Sequence, residues 1–469
     1  MTKVLFIAYH FPPSGGAGVQ RAQKFVQYLP SQGFLPVVIT GPTSPEHRWT
    51  PRDQSLMDAI PAEVPVHRVE GALPREAGRM RGRLERWLWL PSLFSKWWIN
   101  SATELGLQVA DGEGLIFATM SPFESGEVAR RLSSSLGIPW VADLRDPWAL
   151  DEMQVYPSLL HRRIEMLKMD RLLSTAALII MNTPEAAAAL KAAFPRLRNK
   201  HVITITNGFD RSDFARPVEP RADGKFRIVH TGYFHTDDGL ELRKKRFSRW
   251  LAGAQSGVDI LTRSHTVLLE AIERWCKERP EVRNNLELVF AGKTSEEDRA
   301  AVSLSSLAPM VRFPGYVSHS ESVELIRTGD LLFLPMHNLP PDWRCRIVPG
   351  KTYEYMAAAR PILAAVPDGD ARDFLGQCGT ALLCRPEDTA GMLRLLDQEY
   401  SAWKNKGSRM RCNEDFVSQF ERRNLTRNLA DAFEDLLLPR SSTAVRTYSP
   451  ENELNPTPVS NGSQNAVAG

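Results

Sequence analysis

The sequence predicts an α/β protein of two tandem domains, each a doubly wound parallel sheet with helices on both faces. Three observations favour this class. Short apolar runs alternate with amphipathic helical patterns, the alternation is interrupted once by a polar stretch over 213–225, and it then restarts. The length of 469 residues also suits two or three domains better than one.

The first domain is predicted over residues 1–212. Its first helical pattern places Val19, Phe25 and Leu29 on one face. Apolar runs of strand length alternate with such patterns, and runs without polar alternation are typical of parallel sheets buried on both faces. The predicted strands are Val4–Ala8, Pro36–Thr40, Leu115–Thr119, Trp140–Asp143, Leu178–Met181 and Val202–Thr206.

The second domain is predicted over 226–414, after a proline-containing linker over 213–225. A final helix over 415–438 is expected to pack back toward the first domain, and the polar tail over 439–469 is expected to be disordered. Ligands of such sheets bind at the carboxyl ends of strands, so the two domains should face each other across a cleft. The predicted strands are Phe226–Thr231, Leu286–Ala291, Val311–Phe313, Leu331–Pro335, Ile362–Ala365 and Ala381–Cys384.

Composition argues against several classes of protein. The chain is 43% hydrophobic and 24% charged, as expected of a globular protein. No apolar run approaches the ~18 residues of a membrane span, and a net charge of +3 does not by itself indicate nucleic-acid binding. The five cysteines form no C-x-x-C pair, which favours a reducing compartment. Because the N-terminus has no signal-peptide pattern, we expect a cytoplasmic protein.

A loop containing Gly15, Gly16 and Gly18 joins the first strand to the first helix. Glycines there let the backbone approach a ligand, and the helix N-terminus favours an anion. The loop departs from the dinucleotide fingerprint, because Arg21 stands in place of the third glycine and the second strand does not end in an acidic residue. The loop therefore favours a polyanion or sugar over NAD. The alternative is a tight turn that needs glycine only for its dihedral angles.

The segment from Pro349 to Thr352 resembles the end of a phosphate-binding P-loop. The first glycine of that motif is replaced by Cys345, and the residues after it are too bulky to form a nest of amides. What remains is a helix that begins after Gly350, with Lys351 and Glu354 on one face. The lysine can meet phosphate, and the carboxylate can accept hydrogen bonds from ribose or sugar hydroxyls. A surface ion pair is the alternative.

Segments of both halves resemble, in order, those of the retaining family 4 glycosyltransferases, in the branch that acts in surface-polysaccharide assembly. The resemblance extends from Lys3 to about Leu438. It implies the GT-B architecture of two Rossmann-like domains, and sugar transfer with retention from a nucleotide diphosphate sugar to a saccharide or lipid-linked acceptor. The segments are FPPSGGAGVQRAQKF, VADLRDPW, ITNGFD, LVFAG, VRFPGYV and PGKTYEYMAAARPILA.

The resemblance also implies roles for individual residues. Glu354 matches the second glutamate of a pair separated by seven residues, which would bind the donor's ribose. Gly15 and Gly16 would lie near the donor phosphates and the reacting sugar. Arg263 is the best match for the basic residue that grips the diphosphate, and Lys351 is the second candidate. Gly232 and Arg346 complete the expected donor set, and the expected acceptor-side or cleft residues are His10, Glu124, Asp143, Arg145 and Asp146.

Three features depart from the family's pattern. Arg346 stands in place of the first glutamate of the pair; it cannot accept a hydrogen bond from a sugar hydroxyl, but it could donate one to phosphate. Glu124 stands where relatives often have a histidine. An insertion over 237–260, with four consecutive basic residues at 243–246, separates Gly232 from Arg263.

The implied chemistry requires no metal and no cofactor. Negative charge grows on the departing diphosphate, and Arg263 and Lys351 are the candidates to stabilise it. The resemblance implies front-face attack without a covalent nucleophile. The sequence from Asp368 to Asp370 spells the D-x-D of metal-dependent transferases, but its place in a loop after a strand favours a polar turn.

The stretch over 75–98 combines basic and aromatic residues. This combination favours peripheral binding to an anionic bilayer at the inner face of the plasma membrane, and hence a lipid-linked acceptor. Alternatively, the tryptophans pack the first domain and the arginines form its solvated face. The residues are Arg75, Arg79, Arg81, Arg83, Arg86 and Lys96, with Trp87, Trp89, Trp97 and Trp98.

Other functions are compatible with parts of this pattern. A sugar-nucleotide epimerase shares the two domains and needs no acceptor. A non-catalytic sugar-binding protein would account for Arg346 and Glu124. An NAD-dependent dehydrogenase is a more distant alternative.

Overall fold

The computed structural model describes residues 1–43, 52–71, 74, 87, 91–219, 221–244, 255–405 and 410–438. Met1–Leu437 form one compact unit. Within this unit the described strands belong to two separate parallel sheets. The predicted tail over 439–469 lies outside the described residues.

The first sheet has the strand order β3-β2-β1-β4-β5-β6-β7, and all its described pairings are parallel. Its strands are β1 (Thr2–Ile7), β2 (Phe34–Thr40), β3 (Val66–Arg68), β4 (Leu115–Thr119), β5 (Trp140–Leu144), β6 (Leu178–Met181) and β7 (Val202–Thr204). The helices between them are α1 (Ala17–Tyr28), α2 (Ser55–Asp58), α3 (Leu93–Val109), α4 (Glu124–Leu136), α5 (Leu159–Leu173) and α6 (Pro184–Ala193).

The second sheet has the order β10-β9-β8-β11-β12-β13 and is also parallel. Its strands are β8 (Phe226–Thr231), β9 (Leu286–Ala291), β10 (Val311–Gly315), β11 (Leu331–Pro335), β12 (Ile362–Ala365) and β13 (Ala381–Cys384). The helices are α7 (Thr236–Lys244), α8 (Thr266–Glu278), α9 (Glu296–Ser303), α10 (His319–Thr328), α11 (Gly350–Ala357), α12 (Asp370–Cys378), α13 (Thr389–Lys404), α14 (Glu414–Ser418) and α15 (Arg422–Leu437).

Both faces of the first sheet are buried, as the unbroken apolar runs require. Alternate residues of β1 show this directly, because Leu5 belongs to one buried cluster and Phe6 to another on the opposite face. Helix α15 follows the second domain in the chain but covers the first sheet, where Phe433 contacts the rings of Phe34 and Phe117. The final helix thus ties the end of the chain to the first domain.

The predicted fold class, two tandem doubly wound parallel-sheet domains, is confirmed. One strand was missed: β3, Val66–Arg68, has three residues that are all only half-buried, so it shows no apolar run. Within the described residues no helix is long and apolar enough to cross a bilayer.

Candidate functional site

The loops that carry the candidate residues leave the sheets where the strand order reverses. In the first sheet this point lies between β1 and β4, and in the second between β8 and β11. Loops that leave the carboxyl ends of such neighbouring strands diverge and leave a crevice for a ligand. The glycine loop follows β1, Gly232 follows β8, and the long segment that leads to Lys351 and Glu354 follows β11.

The glycine loop needs its glycines for two different reasons. Gly16 has a φ of 97°, a region that favours glycine, at the start of α1. The carbonyl of Gly18 accepts a hydrogen bond from Nη1 of Arg145 at 2.5 Å, and a β-carbon at position 18 would lie 2.0 Å from that nitrogen. The close approach at Gly18 is therefore to a side chain of the same domain.

Arg145, Asp146 and His10 cluster beside this loop. Nε of Arg145 lies 3.3 Å from a carboxylate oxygen of Asp146, so the two side chains form an ion pair. Burial, followed by the charge of Arg145, lowers the pKa of His10 to about 4. His10 is consequently neutral at pH 7 and can donate or accept a hydrogen bond.

Asp143 and Glu124 are held by bonds inside the first domain. Asp143 is fully buried, and both of its oxygens accept hydrogen bonds from Arg21, the shortest at 2.6 Å. Its carboxylate therefore fixes α1 to the sheet instead of facing a ligand. Glu124, in the first turn of α4, accepts a hydrogen bond from the hydroxyl of Ser95 at 2.6 Å.

The side chains of Arg263 and Lys351 lie near each other at the edge of the second sheet, since the charge of Arg263 acts on Lys351. No carboxylate among the described residues lies within 4.0 Å of Arg263 or Lys351, and Nη1 of Arg263 contacts the sulfur of Met153 from the first domain at 2.9 Å. Nζ of Lys351 lies 3.0 Å from Nε2 of His230 and close to Gly232. Burial and the charge of Arg263 lower the pKa of Lys351 to about 7. Neighbouring unpaired cations are the arrangement expected of a site that receives an anion.

Glu354 lies on α11 among polar groups from three parts of the chain. Its carboxylate accepts no hydrogen bond from the described residues, yet its charge acts on both His319 and Arg422. Gln20, from the helix after the glycine loop, accepts a hydrogen bond from Arg422 at 2.9 Å and lies 3.3 Å from Nδ1 of His319. Burial lowers the pKa of His319, but the bond to Asp213 and the charge of Glu354 outweigh it and raise the value. The two domains and α15 thus converge beside a carboxylate that is open to a ligand.

Arg346 joins the two domains. Its Nη1 donates to the carbonyl of Leu150 at 2.8 Å, and its own carbonyl accepts from the hydroxyl of Thr183 at 2.9 Å. Its backbone N–H donates to Glu152 at 3.1 Å. The hydrogen bond from Nη1 to Leu150 thus holds the guanidinium of Arg346 against the first domain.

Glu152, His337 and Cys345 form a buried cluster. Their ligand atoms lie within 4.8 Å of one another, so they could hold a metal ion. Hydrogen bonds to one oxygen of Glu152 also account for the arrangement: the thiol of Cys345 lies 3.0 Å from Oε1, and Nε2 of His337 lies 3.3 Å from it. Burial opposes ionisation, but these bonds lower the pKa of Glu152 to about 2. Its other oxygen, Oε2, is buried and has no hydrogen-bond partner among the described residues.

The D-x-D sequence forms a domain contact. Oδ2 of Asp370, at the start of α12, accepts the backbone N–H of Glu185 from the first domain at 2.8 Å. Burial raises the pKa of Asp370 to about 7. Asp368 is paired with Arg372 and Arg385, at 3.5 and 3.2 Å. These bonds occupy oxygens of both aspartates.

Only part of the stretch over 75–98 is described, and its tryptophans differ. Trp98 is fully buried and donates to the hydroxyl of Ser125 at 3.2 Å, and Trp97 packs beside it on the first core. Trp87, by contrast, is 63% exposed. The arginines of this stretch and Trp89 lie outside the described residues, and Lys96 is exposed.

Sequence reasoning missed Glu152, Gln20, His319 and Arg422. Each reaches the cleft through a contact with a residue far away in the chain: 194 positions separate Glu152 from Arg346, and 402 separate Gln20 from Arg422. A single sequence carries no local signal for such contacts.

The fold defines the class as a GT-B protein, with two Rossmann-like parallel-sheet domains. Residues 260–398, which include Arg263, Lys351 and Glu354, match the family model described as glycosyl transferases group 1. No curated protein sequence matches the chain.

Solved structures with the same fold extend over nearly the whole chain. Sucrose-phosphate synthase (tll1590) from Thermosynechococcus elongatus is 14% identical, with a TM-score of 0.58, and the match covers 93% of this chain and 96% of that one. Trehalose-6-phosphate synthase OtsA is 10% identical, with a TM-score of 0.59, over 92% and 99%. Anabaena Alr3699/HepE, in complex with UDP and glucose, is 15% identical, with a TM-score of 0.54, over 93% and 100%. At these identities the likeness concerns the fold alone.

Proposed function

We propose that this protein is a hexosyltransferase (EC 2.4) that moves a sugar from a nucleotide diphosphate sugar to a saccharide or lipid-linked acceptor with retention, in cell-surface polysaccharide synthesis. One observation carries the proposal. Lys351 lies near both the cation of Arg263 and the carboxylate of Glu354, since both charges act on its pKa, and all three residues belong to the region similar to glycosyl transferases group 1. A diphosphate joined to a ribose requires such a set, with cations for the phosphates and an acceptor for the hydroxyls.

The donor diphosphate would lie between Arg263 and Lys351, beside Gly232, with its ribose hydroxyls on Glu354. Gly15 and Gly16 would face the phosphates and the reacting sugar from the first domain. Gly232 has a φ of 109°, a conformation that favours glycine, and it lies beside Lys351, since a β-carbon there would be 2.7 Å from Nζ of Lys351. No resident metal or cofactor is part of the proposal.

The main chemical task is to stabilise charge on the leaving diphosphate. Arg263 and Lys351 are fixed in a largely dry site, where oriented charges act strongly and need little reorganisation. The acceptor hydroxyl would attack the face from which the diphosphate leaves, and its proton would pass to a leaving oxygen. The charges of Asp146 and Asp151 act on the pKa of Arg263, so both carboxylates also lie near its guanidinium.

Glu152 is proposed to supply the carboxylate that position 346 lacks. It bonds to the backbone N–H of Arg346, and its partnerless Oε2 can accept a hydrogen bond from a donor sugar hydroxyl. Glu152→Gln should therefore weaken binding of the intact donor more than binding of the free nucleotide. Equal losses for both ligands would contradict this role.

The proposed acceptor is linked to lipid, so this part of the proposal requires the protein to bind the membrane. We expect a lipid-linked saccharide at the inner face of the plasma membrane, reached through an anionic surface near residues 75–98. The buried Trp98 and the packed Trp97 support a core role for those two tryptophans. The exposed Trp87 remains available for a surface role.

A panel of UDP- and GDP-sugars followed by thermal shift tests the donor. A donor that binds only the folded state must raise the unfolding temperature, and turnover should release UDP or GDP. Glu354→Ala should abolish both effects in a folded protein, whereas Glu278→Ala, an exposed glutamate at the end of α8, should leave them unchanged. If no donor stabilises the protein or is consumed, the proposal fails.

Product analysis separates the rival functions. An epimerase would convert the donor sugar to its epimer without an acceptor, whereas a transferase would leave the sugar's configuration unchanged. A non-catalytic protein would bind a donor without consuming it. Stabilisation by NAD in place of nucleotide sugars would favour a dehydrogenase.

A further inference from the structure

Helix α5 carries apolar side chains on two opposite sides. Met169 and Leu173 are fully buried in the core of the first domain. Leu160 and Leu167, on the other side, are 55% and 53% exposed. Exposed leucines opposite a buried face are compatible with a second apolar environment outside the domain.

The exposed leucines belong to a larger apolar surface. Leu160 and Leu167 are seven residues apart, which places them on one helix face two turns apart. The adjoining Leu159 is 60% exposed, and Val155, in the preceding loop, is 42% exposed. Trp87 lies against the same helix, because its carbonyl is 3.2 Å from Nε2 of His161, the residue after Leu160.

Cations surround these leucines. Arg163 and Arg171 are exposed at spacings that place them beside Leu160 and Leu167. Lys168 projects outward more than its partner, because its side chain is 53% exposed and that of Glu165 is 26% exposed. The outermost layer of this helix is therefore apolar and positively charged.

The chain segment just before this surface contacts the second domain. Met153 contacts Arg263, and the exposed Val155 follows only two residues later. Arg162, in the first turn of α5, lies near Arg346 of the second domain, since burial and the charge of Arg346 lower its pKa. Arg162 and Leu160 are two residues apart and face different sides of α5, so one side of the helix lies near the second domain while the leucines face outward.

We propose that the face formed by Leu160, Leu167, Arg163, Lys168 and Arg171, termed the α5 face, docks on the surface of an anionic lipid bilayer. Leucines would enter the headgroup boundary while the surrounding cations meet lipid phosphates. The combination of an apolar centre with exposed cations favours lipid over a second copy of the chain, whose identical cations would repel. The link to a lipid-linked acceptor rests on the proposed function, but the docking itself does not.

Sedimentation of the full-length protein with vesicles tests the proposal. Wild type should bind vesicles that contain phosphatidylglycerol, should bind pure phosphatidylcholine weakly, and should dissociate as salt is raised. Each cation removed should weaken binding about fivefold, so Arg163→Gln with Arg171→Gln should weaken it roughly 25-fold. Leu160→Gln with Leu167→Gln should also release the protein. Both pairs are exposed, so the fold should survive the changes.

Matched variants on the second domain are the controls. Leu304 is 90% exposed, so Leu304→Gln removes a surface leucine outside the α5 face and should not change vesicle binding. Arg274→Gln with Lys277→Gln removes two exposed cations of α8 and should affect binding less than the pair on α5. Equal effects of both cation pairs would indicate attraction by net charge and overturn the assigned surface.

Other outcomes would also overturn the proposal. Failure of wild type to bind anionic vesicles at low salt would do so, as would leucine variants that bind as well as wild type. A third such outcome is a dimer in sedimentation velocity without lipid that the leucine variants abolish. That result would assign the α5 face to a second copy of the chain. Donor-induced thermal shift should be unchanged in all α5 variants, so loss of docking and loss of the proposed transferase function are distinguishable.

Discussion

Lys351 is expected to make nucleotide binding depend on pH. Burial and the nearby charge of Arg263 lower its pKa to about 7, so about half of the free protein carries the ammonium at pH 7 and about 1% at pH 9. A bound diphosphate favours the ammonium and raises this pKa, so binding takes up a proton above pH 7. Affinity for UDP or GDP should therefore fall about 50-fold between pH 7 and pH 9.

Titration calorimetry at several pH values, with UDP and GDP, measures this effect. Lys351→Met should remove most of the pH dependence and weaken binding at pH 6 by roughly 10- to 150-fold, the loss expected for a hydrogen bond to a charged group. Lys277→Met, at an exposed lysine of α8, should keep the wild-type profile. A flat wild-type profile, or a Lys351→Met profile as steep as the wild type, would refute the role of Lys351.

Two further predictions concern stability, measured by urea unfolding. Arg21→Met leaves the fully buried Asp143 without its cation and should cost about 3–5 kcal/mol, whereas Asp111→Asn at a surface pair should have little effect; a small loss for Arg21→Met would contradict the buried pair. Burial raises the pKa of Asp370 from 3.8 to about 7, so between these pH values the folded protein holds a proton that the unfolded chain has lost. The free energy of unfolding should therefore fall as the pH rises from about 4 to 7, by at most about 4 kcal/mol. Asp370→Asn should reduce this fall, and the control Asp368→Asn should not; an unchanged slope in Asp370→Asn would show that Asp370 ionises freely.

The strands could be predicted because burial on both faces leaves a continuous apolar run, as in β1, β4 and β9. Short β3 has no buried residue and left no such signal. The site was only partly predictable, because local spacing in the sequence brings only some of its residues together. Lys351 and Glu354 lie one turn apart on α11, so local spacing brings them together, whereas Glu152 and Arg422 reach the cleft through the tertiary fold.

The most informative departure from the family pattern concerns Arg346. From the sequence, an arginine in place of a glutamate changes the chemistry of the donor site, because a hydrogen-bond acceptor is lost. In the structure the backbone of Arg346 is bonded to Glu152, so a carboxylate is present beside that position but belongs to the opposite domain. Since Thr183 and Leu150 of the first domain also bind Arg346, the same contacts that close the cleft bring this carboxylate into place. On the proposed role of Glu152, this acceptor would be available to the donor only when the domains are together, so domain closure would be coupled to recognition of the sugar.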